Sequence, residues 1–226
     1  MIYNTYRFAS EEALKLAIVQ TKGGVGKTTL AVNVAVERSR RGRSVLLVDA
    51  DEQATATGFT SQRAEALGDP GYTAVRLLDA DVRTQVLRMA GHYDDIVIDS
   101  GGRNTNSLRA ALTVADVALI PFQPRSFDIW TSGTIAGLVA ESRIYNETLR
   151  ALAVLNCADP QGNDNAEAAE ALRAVAGIDC LAISIGRRKA FPNAASEGLA
   201  VTELKRPDGK ASAELSALID AIYSKE

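Results

Sequence analysis

The chain has 226 residues, 46 % apolar and 23 % charged, with a net charge of −3. This is ordinary globular usage, enough for one α/β domain that buries roughly 70 % of its unfolded surface without disulfide or metal staples. The charge excludes whole-molecule attraction to nucleic acid, so any such binding must come from a local patch.

No apolar run approaches the roughly 18 residues of a membrane span. The opening MIYNTYRFASEEALK has neither the basic start nor the apolar centre of a signal peptide. A cytoplasmic protein is expected. Cys157 and Cys180 have neither CxxC nor zinc-ligand spacing and read as small, reduced core residues.

Residues 1–15 precede the first expected strand and form an N-terminal extension, and 16–226 read as a single domain. Tyr3, Tyr6 and Phe8 of the extension either pack on a sheet edge or join an interface. Strands are expected at 16–20, 44–49, 95–99, 116–121, 152–156 and 181–185, and helices at 28–41, 104–114, 131–145 and 166–176. SVLLVD and DDIVIDS are apolar at consecutive positions, as in strands covered on both faces. The alternation predicts a doubly wound, mostly parallel sheet with helices on both faces.

Residues 53–81 hold few long apolar runs and read as loops with short helices. Arg38, Arg40, Arg41 and Arg43 suit a helix C-terminus, where cations complement the dipole. His92 has no second histidine beside it and reads as a surface residue, while Phe122, Phe127 and Trp130 read as packing. Ala211, Leu215, Leu218, Ile219 and Ile222 fall at helical spacing and predict a final helix laid on the core.

Chemistry concentrates in KGGVGKTT, residues 22–29. The phosphate-loop pattern is G-x-x-x-x-G-K-[ST]; Gly26, Lys27 and Thr28 complete its second half, and Thr21 stands where its first glycine would be. Gly23, Gly24 and Gly26 allow backbone N–H groups close to phosphate oxygens, and the following helix adds its positive end. Lys27 is placed to bridge the β- and γ-phosphates, and the Thr28 hydroxyl to ligate Mg²⁺. The loop carries a second lysine, Lys22, that the pattern does not require.

Mg²⁺ calls for hard oxygen ligands at neighbouring strand ends. SVLLVDAD places Asp49 at a strand terminus with Asp51 just beyond, and DDIVIDSGG ends in Asp99, followed by two glycines that keep the next loop open.

With KGGVGKTT, LLVDAD and IVIDSGG in this order, the chain resembles the ParA/MinD family of deviant-Walker ATPases, a branch of the P-loop NTPases. It is most similar to small plasmid-partition ParA proteins without a helix-turn-helix domain, the ParF-like kind. GGRNTNSLRAALTVADVALIPFQPRSFDIW and LKRPDGKASAEL add to the likeness, which runs from about residue 16 to the C-terminus.

The resemblance implies an ATPase that binds ATP and Mg²⁺ and closes as a nucleotide-sandwich homodimer. It implies that Lys22 reaches the phosphates of the partner's nucleotide, while Lys27 serves its own. Asp51 would orient the attacking water, Asp49 and Asp99 would hold the waters of the metal, and Thr29 would touch the α-phosphate. Val25 belongs to the same loop, and Asn156, ending LAVLN, matches an asparagine that reads the purine edge. The family's usual Asp-Thr-Pro is Asp-Ser-Gly here, which leaves the role of Ser100 open.

The resemblance further implies DNA segregation. The ATP dimer would bind DNA without sequence preference, and hydrolysis stimulated by a ParB-like or adaptor partner would release it. Arg187, Arg188, Lys189, Lys205, Arg206 and Lys210 against Glu197, Glu203 and Asp208 give the 187–210 segment a charge of +3, the candidate DNA surface. Positioning of a non-DNA cargo, a chemoreceptor cluster or a carboxysome, is the alternative. MinD-type relatives bind membranes through a basic C-terminal helix; here Glu214, Asp220 and Glu226 oppose Lys225, so no membrane partner is expected. A metabolic kinase or synthetase would need a second substrate pocket with its own acid or base, and no constellation of residues demands one.

Overall fold

The computed structural model describes residues 13–124, 132–159, 161 and 163–224. Seven strands form one sheet: β1 Leu14–Ile18, β2 Val45–Ala50, β3 Thr73–Arg76, β4 Asp95–Ser100, β5 Val117–Phe122, β6 Arg150–Ala158 and β7 Asp179–Gly186. Their order is β3-β2-β4-β1-β5-β6-β7, and every neighbouring pair is parallel. The helices are α1 Lys27–Arg40, α2 Thr55–Leu67, α3 Ala80–Met89, α4 Asn106–Leu112, α5 Ser132–Ser142, α6 Asp164–Arg173, α7 Ala190–Ser196 and α8 Gly209–Tyr223.

Consecutive apolar residues in the central strands serve opposite faces, as the period of two requires. Leu46 and Val48 of β2 join one core, with Val82 and Val86 of α3, Leu108 and Leu112 of α4, Ile135 of α5 and Leu172 of α6. Val45 and Leu47 join the other, with Leu30, Val34 and Val36 of α1, Phe59 of α2, Phe191 of α7 and Leu215, Leu218, Ile219 and Ile222 of α8. The doubly wound expectation is met, and all five apolar positions named for the last helix are fully buried. At roughly 1.5–3 kcal/mol for each large aliphatic chain removed from water, that stripe fixes α8 to the sheet. Its start is capped by the Asp208 carboxylate, which accepts from the N–H groups of Lys210 and Ala211.

Residues 53–81 depart from expectation. They hold the thirteen-residue α2 and the edge strand β3. Ala56, Phe59 and Arg63 are the buried positions of α2, and one of them is charged, so the apolar period is masked. Arg63 is buried because its guanidinium pairs with Glu203 (2.7 Å) and donates to the carbonyls of Pro70 and Gly198. Strand β1 begins at Leu14 and so takes two residues from the expected extension.

The arginine run lies where expected, at the end of α1: Arg38 pairs with Asp95 at 2.8 Å and Arg41 with Asp220 at 2.6 Å. His92 is exposed. Cys157 and Cys180 are both half-buried, and Cys180 packs against the edge of the first core. Tyr3, Tyr6, Phe8, Phe127 and Trp130 lie outside the described residues.

Candidate nucleotide-binding site

The chain leaves β1 at Ile18 and enters α1 at Lys27 through the loop read as a phosphate cradle. Gly24 (φ 76°) and Gly26 (φ 90°) are left-handed, a conformation that costs a β-carbon-bearing residue about 1–2 kcal/mol. The Lys27 ammonium folds back over the loop to donate to the Lys22 carbonyl at 3.2 Å. Burial pushes the Lys27 pKa down, against the opposing pull of Asp99 and Asp51.

The cleft beside the loop has a volume of about 680 Å³. Gly23, Gly24, Gly26, Lys27, Thr28 and Thr29 form one wall, and Asp51, Gly101 and Gly102 come from the ends of β2 and β4. The register explains the meeting, because Asp49 lies opposite Asp99 across the β2–β4 pair and Ile18 opposite Asp99 across β1–β4. Gly102 backs onto Gly23 so closely that a β-carbon at 102 would lie 2.8 Å from the Gly23 Cα.

The two strand-end carboxylates differ in kind. Asp49 is engaged inside the protein: Oδ2 accepts from the Thr57 N–H and hydroxyl, both at 2.8 Å, and Oδ1 accepts from the Asp51 N–H at 3.2 Å. It thereby holds the start of α2 and sets Asp51 in the cleft wall. Asp99 is fully buried, and neither oxygen has a hydrogen-bond partner of good geometry. Burial pushes its pKa up to about 7, helped by the charges of Asp49 and Asp51 and opposed by the nearby Thr28 hydroxyl and Lys27. An orphaned buried carboxylate beside a phosphate loop fits a metal ion or its waters, hard-oxygen chemistry that suits Mg²⁺. Among the described residues, no group of three acidic, histidine or cysteine side chains is placed to hold a metal ion. When bound, such an ion neutralises phosphate charge.

Five expected site residues, Lys22, Val25, Asp49, Asp99 and Asn156, are not among those that line this cleft. Asp49 and Asp99 lie buried behind it at the ends of β2 and β4. Asn156 is buried at the end of β6, where its amide nitrogen donates to the Val25 carbonyl at 2.7 Å. Gln53, Asp79, Arg103, Thr105 and Ser107 also line the cleft without having been singled out in the sequence. Asp79 has φ 51° and ψ −129°, and its N–H is held by the Ser107 hydroxyl at 2.8 Å. Such strained non-glycine backbone concentrates at binding sites.

Of the six basic residues expected as a DNA surface, two are engaged. Arg188 pairs with Glu214 at 2.5 Å and Arg187 with Asp159 at 3.3 Å. Lys189, Lys205, Arg206 and Lys210 are exposed, and none has an acidic partner among the described residues.

A parallel doubly wound sheet with a glycine loop between its central strand and a helix, facing strand-end carboxylates, defines a P-loop nucleotide-binding protein. The chain matches the CobQ/CobB/MinD/ParA nucleotide binding domain over residues 16–201 and belongs to that family. It is 30 % identical to the maintenance of carboxysome distribution protein A of Halothiobacillus neapolitanus, over 95 % of this chain and 98 % of that one. It is 29 % identical to the chromosome-partitioning ATPase Soj of Thermus thermophilus, over 62 % of this chain and 68 % of that one. An ATP complex of McdA from Cyanothece shares the fold, with a TM-score of 0.76 and 18 % identity over 96 % of this chain and 98 % of that one.

Proposed function

We propose that this chain is a magnesium-dependent, ParA-type positioning ATPase that hydrolyses ATP to ADP and phosphate. The observation that carries the reading is the buried, unpartnered Asp99 carboxylate facing Lys27 and Thr28 across a phosphate loop. In this reading the loop N–H groups and Lys27 bind the phosphates, and Thr28 and Asp99 hold Mg²⁺ and its waters. Asp51, set by Asp49, orients water for attack.

Two chains close face to face on two ATP molecules, and Lys22 of each meets the phosphates of the other. A cation brought into a water-poor site stabilises the charge that develops on transfer. What supports a role toward a neighbour is that Lys22 is a second cation that the phosphate-loop pattern does not require.

The ATP dimer binds DNA without sequence preference through Lys189, Lys205, Arg206 and Lys210, and in the cell it is cytoplasmic and nucleoid-associated. Arg187 and Arg188 contribute less, because their ion pairs already neutralise them. An adaptor or ParB-like partner on the cargo stimulates hydrolysis and release. The full-length likeness to a carboxysome distribution protein favours a protein body as cargo, while the partition relatives keep a DNA cargo as the second reading. Membrane attachment is disfavoured because the apolar stripe of α8 is spent on the core.

Co-sedimentation with DNA in ADP, ATP and a non-hydrolysable analogue, at low and high salt, tests the reading. Eight cations per dimer give a slope of about −7 in log affinity against log salt, so doubling the salt weakens binding on the order of 100-fold. Binding that ignores the nucleotide, or that goes to liposomes in place of DNA, refutes it.

A further inference from the structure

The phosphate cradle has a geometric requirement that its own residues do not meet. In a trans peptide the C=O and N–H point in opposite directions. For the N–H groups of Val25 and Gly26 to face phosphate, the carbonyls of Gly24 and Val25 must turn into the protein and find donors there. Glycine leaves the backbone around Val25 free to turn either way, so the loop alone does not choose.

Two side-chain amides supply those donors from neighbouring strand ends. Gln123, just beyond β5, donates its Nε2–H to the Gly24 carbonyl at 2.9 Å. Asn156, near the end of β6, donates its Nδ2–H to the Val25 carbonyl at 2.7 Å. Consecutive peptides of the loop are thus gripped from behind by consecutive strands. The grip is close, since a β-carbon on Gly26 would run into the Asn156 amide nitrogen.

We infer that Gln123 and Asn156 are positioning residues that orient the peptides of the phosphate loop, so that Asn156 acts on phosphate binding whether or not the ligand carries a base. The inference rests on the reading of this loop as a phosphate site. An Asn156 amide that gives one of its two N–H donors to Val25, buried at the end of β6, is turned toward the loop before any ligand arrives.

A ligand without a base separates the two roles. Affinities for ATP and for inorganic tripolyphosphate, each with Mg²⁺, are measured by calorimetry for the wild type, Asn156→Asp, Asn156→Ala, Gln123→Glu and Gln123→Ala. The acidic variants keep the shape and replace the donor by an oxygen that repels the carbonyl. We expect Asn156→Asp to weaken both ligands by the same factor, at least tenfold, and Gln123→Glu to weaken both several-fold. The alanine variants should fall between these and the wild type. Loss of ATP affinity with tripolyphosphate unchanged makes Asn156 a base reader and overturns the inference, as does no change for either ligand. A wild type that binds neither ligand ends the phosphate-site reading and this role with it. If Asn156→Asp fails to fold, the Gln123 variants, at a half-exposed position, decide by the same comparison.

Discussion

Replacing Asp99 with asparagine removes a titrating group while keeping its size, and the unliganded protein should become more stable by an amount that grows with pH. The folded chain holds a proton on Asp99 up to about pH 7, whereas the unfolded carboxyl releases it near 3.8. Between those values the folded state binds more protons than the unfolded state, so the contribution of Asp99 to stability falls as pH rises and levels off above about 7. At about 1.4 kcal/mol per pH unit, that interval sets a ceiling near 4 kcal/mol for the cost of the charged form. Asparagine carries no such cost. Urea unfolding in EDTA, free of nucleotide, should place Asp99→Asn about 2–4 kcal/mol above the wild type at pH 8 and within about 1–2 kcal/mol of it at pH 5. Other carboxylates titrate in both proteins and cancel in the difference. A difference that is flat with pH, or a variant less stable than the wild type at pH 8, refutes the account of Asp99 as a buried carboxylate without a partner.

The two lysines should separate in kind. Lys27→Ala should weaken ATP binding at least 100-fold in equilibrium titration. Lys22→Ala should bind ATP within a few-fold of the wild type yet lose about 10³ in turnover, the scale of a finger delivered in trans, together with ATP-dependent dimers in sedimentation. Gly198→Ala should destabilise the fold by about 2–4 kcal/mol by chemical denaturation. Residue 198 has φ 69°, and a β-carbon there would meet the Arg63 backbone N and Cα at 2.8 Å.

Consecutive apolar strands made the parallel sheet legible, and GGVGKTT between a strand and a helix made the loop legible, because local patterns encode both. The stretch between β2 and β4 was not legible, because Arg63 stands at a buried position of α2 and breaks its apolar rhythm. Its partner Glu203 lies 140 residues away, a pairing that no local period reveals. The division of labour between Asp49 and Asp99 was equally hidden. Both end strands in similar motifs, and what separates them is that Thr57 folds back onto one of them. Gln123 carried no signal beyond its place after a strand. Its amide matters because β5 lies beside β1, and that adjacency belongs to the topology.

Charge in the cleft leads to a requirement for metal. Asp99 and Asp51 stand by one buried ammonium, Lys27, and their fields pull against the desolvation that lowers its pKa. A triphosphate arriving alone would add negative charge beside this excess, and the loop N–H dipoles would have to offset both repulsions. A divalent cation would change the sign of the exchange: it would neutralise phosphate charge, and Asp99 would be the residue to hold it, gaining the partner that the fold withholds. Removing Mg²⁺ with EDTA should therefore weaken ATP binding at least tenfold in the wild type. The loss should be smaller in Asp99→Asn, where a neutral amide neither holds the ion nor repels the phosphates. If ATP binds equally well with and without Mg²⁺ in both proteins, Asp99 is not facing the ligand, and its burial needs another explanation.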